Sequence, residues 1–174
     1  MLVPKAYGTA VPGPIHEANG ESTRAVTLED GVTGGTYTLV LQRSREAVVE
    51  VGALGEHRFP SGWYAYTGSA LGTGGFSRVD RHRAVAAGEN DTRHWHVDYL
   101  LGDDATRVDT VVTTAADVEC AVARRIDEAL GTGGQFDGFG CSDCGCRSHL
   151  AFDGDGETVL TAVRQSHDAI GETT

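Results

Sequence analysis

Alternation of apolar and polar residues in short runs is what most constrains this chain, because a period of two is the pattern of a half-buried strand. From Thr36 to Gln42 the run TYTLVLQ sets Tyr37, Leu39 and Leu41 on one face. A polar turn at Arg43-Ser44-Arg45 leads to a second run in which Ala47, Val49 and Val51 oppose Glu46, Val48 and Glu50. Together the two predict a hairpin. Gly52 to Gly62 reads as loop, and Trp63 to Thr67 as a third strand with Tyr64 and Tyr66 on one face. His94 to Leu101 alternates again, with Trp95, Val97, Tyr99 and Leu101 opposed to His94, His96 and Asp98, and Val108 to Thr113 follows as a further strand. Helical spacing appears over Phe76 to Ala87, where Phe76, Val79 and Ala87 share a side and Gly88 ends the helix. A second helix opens near Thr114 and Asp117 and carries the stripe Val118, Val122, Ile126 and Leu130. Ser148 to Phe152 and Thr158 to Val163 read as a closing hairpin through Asp153-Gly154-Asp155-Gly156. The expected fold is therefore α+β, a small central antiparallel sheet flanked by helices, with a C-terminal Cys-rich loop and hairpin. No internal repeat is present.

A chain of 174 residues and 18.3 kDa supports one domain with a core of its own. Residues 1–33 hold Pro4, Pro12 and Pro14 without an amphipathic period and read as a poorly ordered extension; residues 34–170 read as the folded domain. The net charge is −11, from 25 acidic and 14 basic residues, and Lys5 is the sole lysine. Such acidity ordinarily argues against a nucleic-acid partner. An acidic surface with almost no lysine also matches a halophilic setting, where the Debye length shrinks to about 3 Å and that argument loses its force. No charged segment followed by an apolar run marks a secretion signal, and no stretch reaches the roughly 20 apolar residues of a membrane span. The expected location is cytoplasmic, with no membrane partner.

Three of the four cysteines fall within six positions, in the run Cys141-x-x-Cys144-x-Cys146-x-x-His149. Thiolates with an imidazole are zinc ligand types. Four ligands in nine residues are crowded, since structural sites usually draw on two separated pairs, so packing and capping, or thiol redox chemistry at Cys141 and Cys144, compete with zinc. Cys120, His94 or His96 would complete a zinc site if the fold brought them near. His94, His96 and Asp98, sharing a strand face, read as a half-exposed surface or as support for a neighbouring site, with a metal face as the competing reading. The glycine-rich stretch GSALGTGG at 68–75 lacks the Lys-Ser/Thr of a P-loop, and Ser77 stands where a dinucleotide fingerprint needs glycine.

Five residues gain meaning from their order. Gly35-Thr36-Tyr37 opens a strand, Tyr66-Thr67-Gly68 with Ser69-Ala70 closes another, Arg78-Val79-Asp80-Arg81-His82 lies on the next helix, and Glu119 opens a later one. In this order the chain resembles the GIY-YIG endonuclease superfamily. The strings GWYAYTGSALGTGG, RVDRHR, RHWHVDYLL, Glu119-Cys120 and FGCSDCGCRSHLAF, over about residues 34–152, resemble more closely a compact prokaryotic branch labelled domain of unknown function 123. The resemblance implies a three-stranded antiparallel sheet flanked by helices and a divalent-metal-dependent endonuclease that cleaves DNA, selective for structure rather than sequence. It implies Tyr37 and Tyr66 as the motif tyrosines, one of them general base; Arg78 as the group that stabilises charge on the phosphate; His82 as the histidine that orients a tyrosine or the leaving group; and Glu119 as ligand to Mg²⁺ or Mn²⁺. Gly68, Ser69, Arg81 and Arg83 would contact nucleic acid. Both central isoleucines of the name motif are threonine here, the Gly52 to Gly62 loop is an insertion, and Glu128 competes with Glu119.

The chemistry is coherent with those roles, since an arginine fork and a carboxylate-held hard cation stabilise the charge that a phosphodiester gathers as it is cut. A tyrosine near pKa 10 takes a proton from water only if cations lower it. Two other classes fit the same residues: a nucleic-acid-binding protein without cleavage, and a small zinc or thiol protein built around Cys141 to His149. Within Gly62 to Val97 four arginines face three acidic residues, so the acidity lies elsewhere.

Overall fold

The computed structural model describes residues 33–171. The reading of residues 1–33 as an extension falls, apart from Thr33, outside the described residues. The fold is α+β, a four-stranded antiparallel sheet flanked by helices. Strands β1 (Thr36–Arg43), β4 (Gly62–Ser69), β5 (Thr106–Thr114) and β6 (Leu150–Asp153) lie in the order β5-β1-β4-β6. The resemblance implied three strands; β6 is the fourth, added along β4.

Period-two alternation divides the sheet into two faces. Tyr37, Leu39, Leu41, Tyr64, Tyr66 and Leu150 form one core with helices α1 (Ser77–Ala86) and α2 (His96–Leu101). Val40, Ala65 and Ala151 form the other, against α3 (Glu119–Leu130) and α4 (Gly156–Gly171). The stripe Val118, Val122, Ile126 and Leu130 of α3 packs there as its spacing predicts. With both faces covered, β1 is buried on both sides over Thr36–Leu41.

Three expectations give way. The second run, β2 (Ala47–Glu50), does not pair with β1, because β4 and β5 already occupy both of its edges. It pairs with β3 (Glu56–Phe59), inside the stretch read as loop, in a separate two-stranded sheet. The run from His94 is no strand: Asp98 accepts the backbone N–H groups of His94 (2.8 Å) and Trp95 (3.0 Å), which caps α2 and buries Val97, Leu100 and Leu101 at helical spacing. The closing hairpin is also absent. Asp155 Oδ2 accepts from the Thr158 backbone N–H and hydroxyl, both at 2.8 Å, and the chain continues as α4 with Val159, Ala162, Val163, Ser166 and His167 inward.

Candidate active site and metal centre

The β1–β4 register places Tyr37 opposite Gly68 and Leu39 opposite Tyr66, so both motif tyrosines point to the α1 side. A Cβ at Gly68 would stand 2.5 Å from the Tyr37 ring. The motif glycine thus makes room for the neighbouring tyrosine, where the sequence reading assigned that space to nucleic acid.

Helix α1 sets His82, fully buried, beneath the tyrosine pair. Its Nε2 lies 2.9 Å from the Tyr37 hydroxyl and its Nδ1 2.9 Å from Asp98 Oδ1. Asp98, also fully buried, accepts as well from Arg81 Nη1 at 3.1 Å and Nη2 at 3.0 Å. Burial alone would raise the Asp98 pKa, but the hydrogen bonds from His82, Arg81, Trp95 and His94 hold it far below the usual carboxylate range. An ionised carboxylate only accepts, so Nδ1 of His82 donates to Asp98, and in the neutral ring Nε2 then accepts from the Tyr37 O–H. The result is a buried line from Tyr37 through His82 and Asp98 to Arg81. The sequence reading names Asp98 as support for a neighbouring site but places it on a strand; its position three residues after Trp95, at the start of a helix with Val97, Leu100 and Leu101 inward, is the signal for its place in this line.

Arg78 donates from Nη1 to the Ser69 carbonyl at 2.6 Å and lies over the Trp95 ring at 4.6 Å. Among the described residues it has no carboxylate partner. Glu119, at the start of α3, is close enough to both tyrosines to oppose their ionisation, as Arg78 favours it. Burial nevertheless dominates, and both phenols are pushed well above their ordinary value. The five residues Tyr37, Tyr66, Arg78, His82 and Glu119 therefore come from four elements into one electrostatically coupled group. Glu128 is exposed and lies nine residues further along α3, about 13 Å away.

The remaining predicted contacts behave differently. Arg81 spends its fork on Asp98 and donates to the Thr92 carbonyl at 2.9 Å, so it buttresses the site. Arg83 is exposed and pairs with Asp80 at 3.6 Å. Ser69 presents its carbonyl to Arg78. A cleft of about 250 Å³ opens beside Arg78, lined by residues 72–75 of the glycine-rich loop, Ser77, Arg81 and Trp95.

The cysteine cluster forms with one exchange of ligand. Cys120, Cys144, Cys146 and His149 place one ligand atom each within 4.8 Å of all the others, a group able to hold a metal ion. Cys141 stands outside it, its thiol directed at the Phe139 carbonyl at 3.5 Å. Cys120 replaces it from the first turn of α3, which removes the crowding of four ligands in nine residues. His149 Nε2 lies 3.4 Å from Cys144 Sγ and 3.8 Å from Cys120 Sγ. Tetrahedral zinc with ordinary Zn–S and Zn–N bonds spaces its ligands by roughly 3.5 to 3.8 Å. Burial and the neighbouring thiols push Cys120 up to about 12. Burial also opposes ionisation of Cys144, yet hydrogen bonds from the Cys146 backbone and the neighbouring thiols bring its pKa down. His94 and His96 take no part: His94 packs edge-on against Trp95, and His96 Nδ1 accepts the Gly140 backbone N–H at 2.9 Å.

This centre adjoins the tyrosine pair. The His149 carbonyl accepts from the Thr67 N–H at 2.9 Å, one residue after Tyr66. His149 Nδ1 lies 3.1 Å from Glu119 Oε1, at ion-pair distance but outside hydrogen-bond alignment, and has no other partner among the described residues.

Among the described residues no helix is long and apolar enough to cross a membrane. No curated protein and no solved structure matches the chain. The family described as "Domain of unknown function DUF123" matches residues 36–172, most of the sequence, and the chain belongs to that family.

Proposed function

We propose that the protein is a GIY-YIG-type endonuclease that hydrolyses phosphodiester bonds in DNA, selecting by structure rather than sequence. One observation carries this reading: Tyr37, Tyr66, Arg78, His82 and Glu119, singled out by order in the chain, converge on one side of the β1–β4 pair. Arg78, with no carboxylate partner among the described residues, stabilises the charge gathering on the phosphate. Because burial keeps Tyr37 protonated, it does not act as a free phenolate. Water yields its proton to the Tyr37 oxygen as Tyr37 passes its own to His82 Nε2, and Asp98 stabilises the imidazolium. The water oxygen forms a new bond to phosphorus as the bond to the departing sugar oxygen breaks; that oxygen takes a proton from solvent, leaving a phosphomonoester and a hydroxyl.

Glu119 would hold Mg²⁺ or Mn²⁺. Its carboxylate is a quarter exposed, whereas Asp98 is sealed and saturated with donors. One carboxylate completed by phosphate oxygens and water is a usual Mg²⁺ arrangement, and such a cation supplies Lewis-acid stabilisation. The Cys120, Cys144, Cys146 and His149 group fits zinc by donor type and by the spacing of His149 from Cys144 and Cys120, and we assign zinc to it as a structural ion.

The test is incubation of purified protein with branched, flapped and single-stranded DNA in high KCl with Mg²⁺ or Mn²⁺. Cleavage should fall at least about a hundredfold in Arg78→Ala, and comparably in Glu119→Ala. Cleavage surviving both substitutions would remove the site assignment. Tight binding without product would make the protein a DNA-binding module on the same fold.

A further inference from the structure

We propose that Glu119 is the outer partner of the thiolate metal centre, so that zinc bound by Cys120, Cys144, Cys146 and His149 positions the carboxylate beside the tyrosines. The inference rests on the nuclease reading only for its consequence in catalysis. Its own ground is the geometry around His149.

That side chain is almost wholly buried, and its two ring nitrogens face different groups. Nε2 points into the thiols of Cys144 and Cys120. Nδ1 points to Glu119 Oε1 at 3.1 Å without forming an aligned hydrogen bond, and has no other partner among the described residues. A buried polar atom left so is costly unless something completes it. Metal ligation at Nε2 completes it from the far side of the ring: the ligating nitrogen needs its lone pair, which assigns the proton to Nδ1, and the N–H then seeks a carboxylate. Glu119 is the carboxylate within reach. A small rotation of the ring or of the carboxylate aligns the pair.

The chain is built to make this link short. Glu119 and Cys120 are consecutive, so the residue that reaches the tyrosine group and the residue that ligates the metal share the first turn of α3. His149 in turn is tied to β4 through the Thr67 N–H, and a Cβ at Gly140 would fall 2.9 Å from His149 Cβ and 3.1 Å from the Tyr66 ring, so the metal loop lies directly against Tyr66. Zinc therefore fixes one oxygen of Glu119, which lies close enough to both tyrosines to act on them electrostatically. It takes no part in bond cleavage and is a positioning device.

Zinc affinity measured by competition with a chromophoric chelator tests the inference without reference to nuclease activity. Glu119→Ala should weaken zinc binding by about ten- to a hundredfold, the cost of removing an outer partner. Glu119→Gln, which keeps an acceptor oxygen, should recover part of that loss. Zinc affinity unchanged in a folded Glu119→Ala protein overturns the inference. Cleavage assays then separate the two readings. If the wild-type protein cuts DNA, removing its zinc while it stays folded by circular dichroism should abolish cleavage in Mg²⁺, and readding zinc should restore it. Undiminished cleavage by folded zinc-free protein refutes the positioning role while the nuclease reading stands. A Glu119-dependent zinc affinity in a protein that never cuts DNA refutes the nuclease reading while the outer-partner assignment stands.

Discussion

Asp98 shows how much a single side chain settles. Its two oxygens accept from His82, from both terminal nitrogens of Arg81, and from the backbone of His94 and Trp95. One carboxylate thus caps α2, fixes the His82 tautomer and neutralises an arginine. Removing it leaves the fully buried His82 without its acceptor and takes the carboxylate from the partly exposed Arg81, so Asp98→Ala should lower the unfolding free energy by about 3 kcal/mol in urea titration. A loss below about 1 kcal/mol would mean that water takes the place of the carboxylate beside His82. The tyrosines teach the opposite lesson about charge. A cation beside a phenol is not enough to make it a base when the phenol is buried, because desolvation outweighs Arg78 at both Tyr37 and Tyr66.

At the scale of elements, α4 replaces an expected strand and carries its own titratable group. His167 is almost wholly buried, with Nε2 2.8 Å from the Thr38 hydroxyl and Nδ1 2.7 Å from that of Thr114. It therefore pins α4 to both β1 and β5. Burial lowers its pKa from 6.5 to about 4, with Asp168 opposing weakly. Between those values the unfolded chain binds a proton that the folded chain refuses, so stability rises with pH across the window and is lost as pH falls from 6.5 through 4. The full effect is about 3 kcal/mol. Chemical denaturation from pH 7 to pH 4 should show that slope, and His167→Gln should flatten it; an unchanged slope in the variant would assign the acid sensitivity to other groups. The metal centre is an element-scale feature as well, since it joins the first turn of α3 to the segment that leads into β6.

The whole molecule is governed by its charge. A net −11 with one lysine makes the folded chain repel itself in dilute buffer, and salt relieves that repulsion. Raising KCl from about 0.1 to 2 M should raise the melting temperature by on the order of 5 °C, the response of a chain this size to 1 to 2 kcal/mol. A melting temperature that stays flat or falls with KCl would show that the acidic surface is not a salt adaptation. The arginines at the site are not part of that surface excess. Arg81 is bound to Asp98 and Arg78 to a backbone carbonyl, so each is held by local bonds whatever the charge of the exterior.

Sequence alone determined the β1 and β4 strands, α1, β5 and α3, because each has a clear period and ends at a glycine or a polar turn. The five residues of the candidate site were picked out by their order along the chain together with the resemblance that order carries. Tertiary structure decided the pairings. β2 pairs with β3 because both edges of β1 are taken, a fact that no local pattern holds. Likewise the alternation at His94 to Leu101 and the apolar-rich run at Thr158 to Val163 are compatible with both a strand and a short helical face; the caps from Asp98 and Asp155 and the available packing surfaces chose the helix. The metal group follows the same logic, because Cys120 and Cys141 offer the same thiol and differ only in where the fold leaves it. Chemistry of the side chain is written locally, but which groups meet depends on contacts between distant segments, and those are settled by the packing of the whole chain.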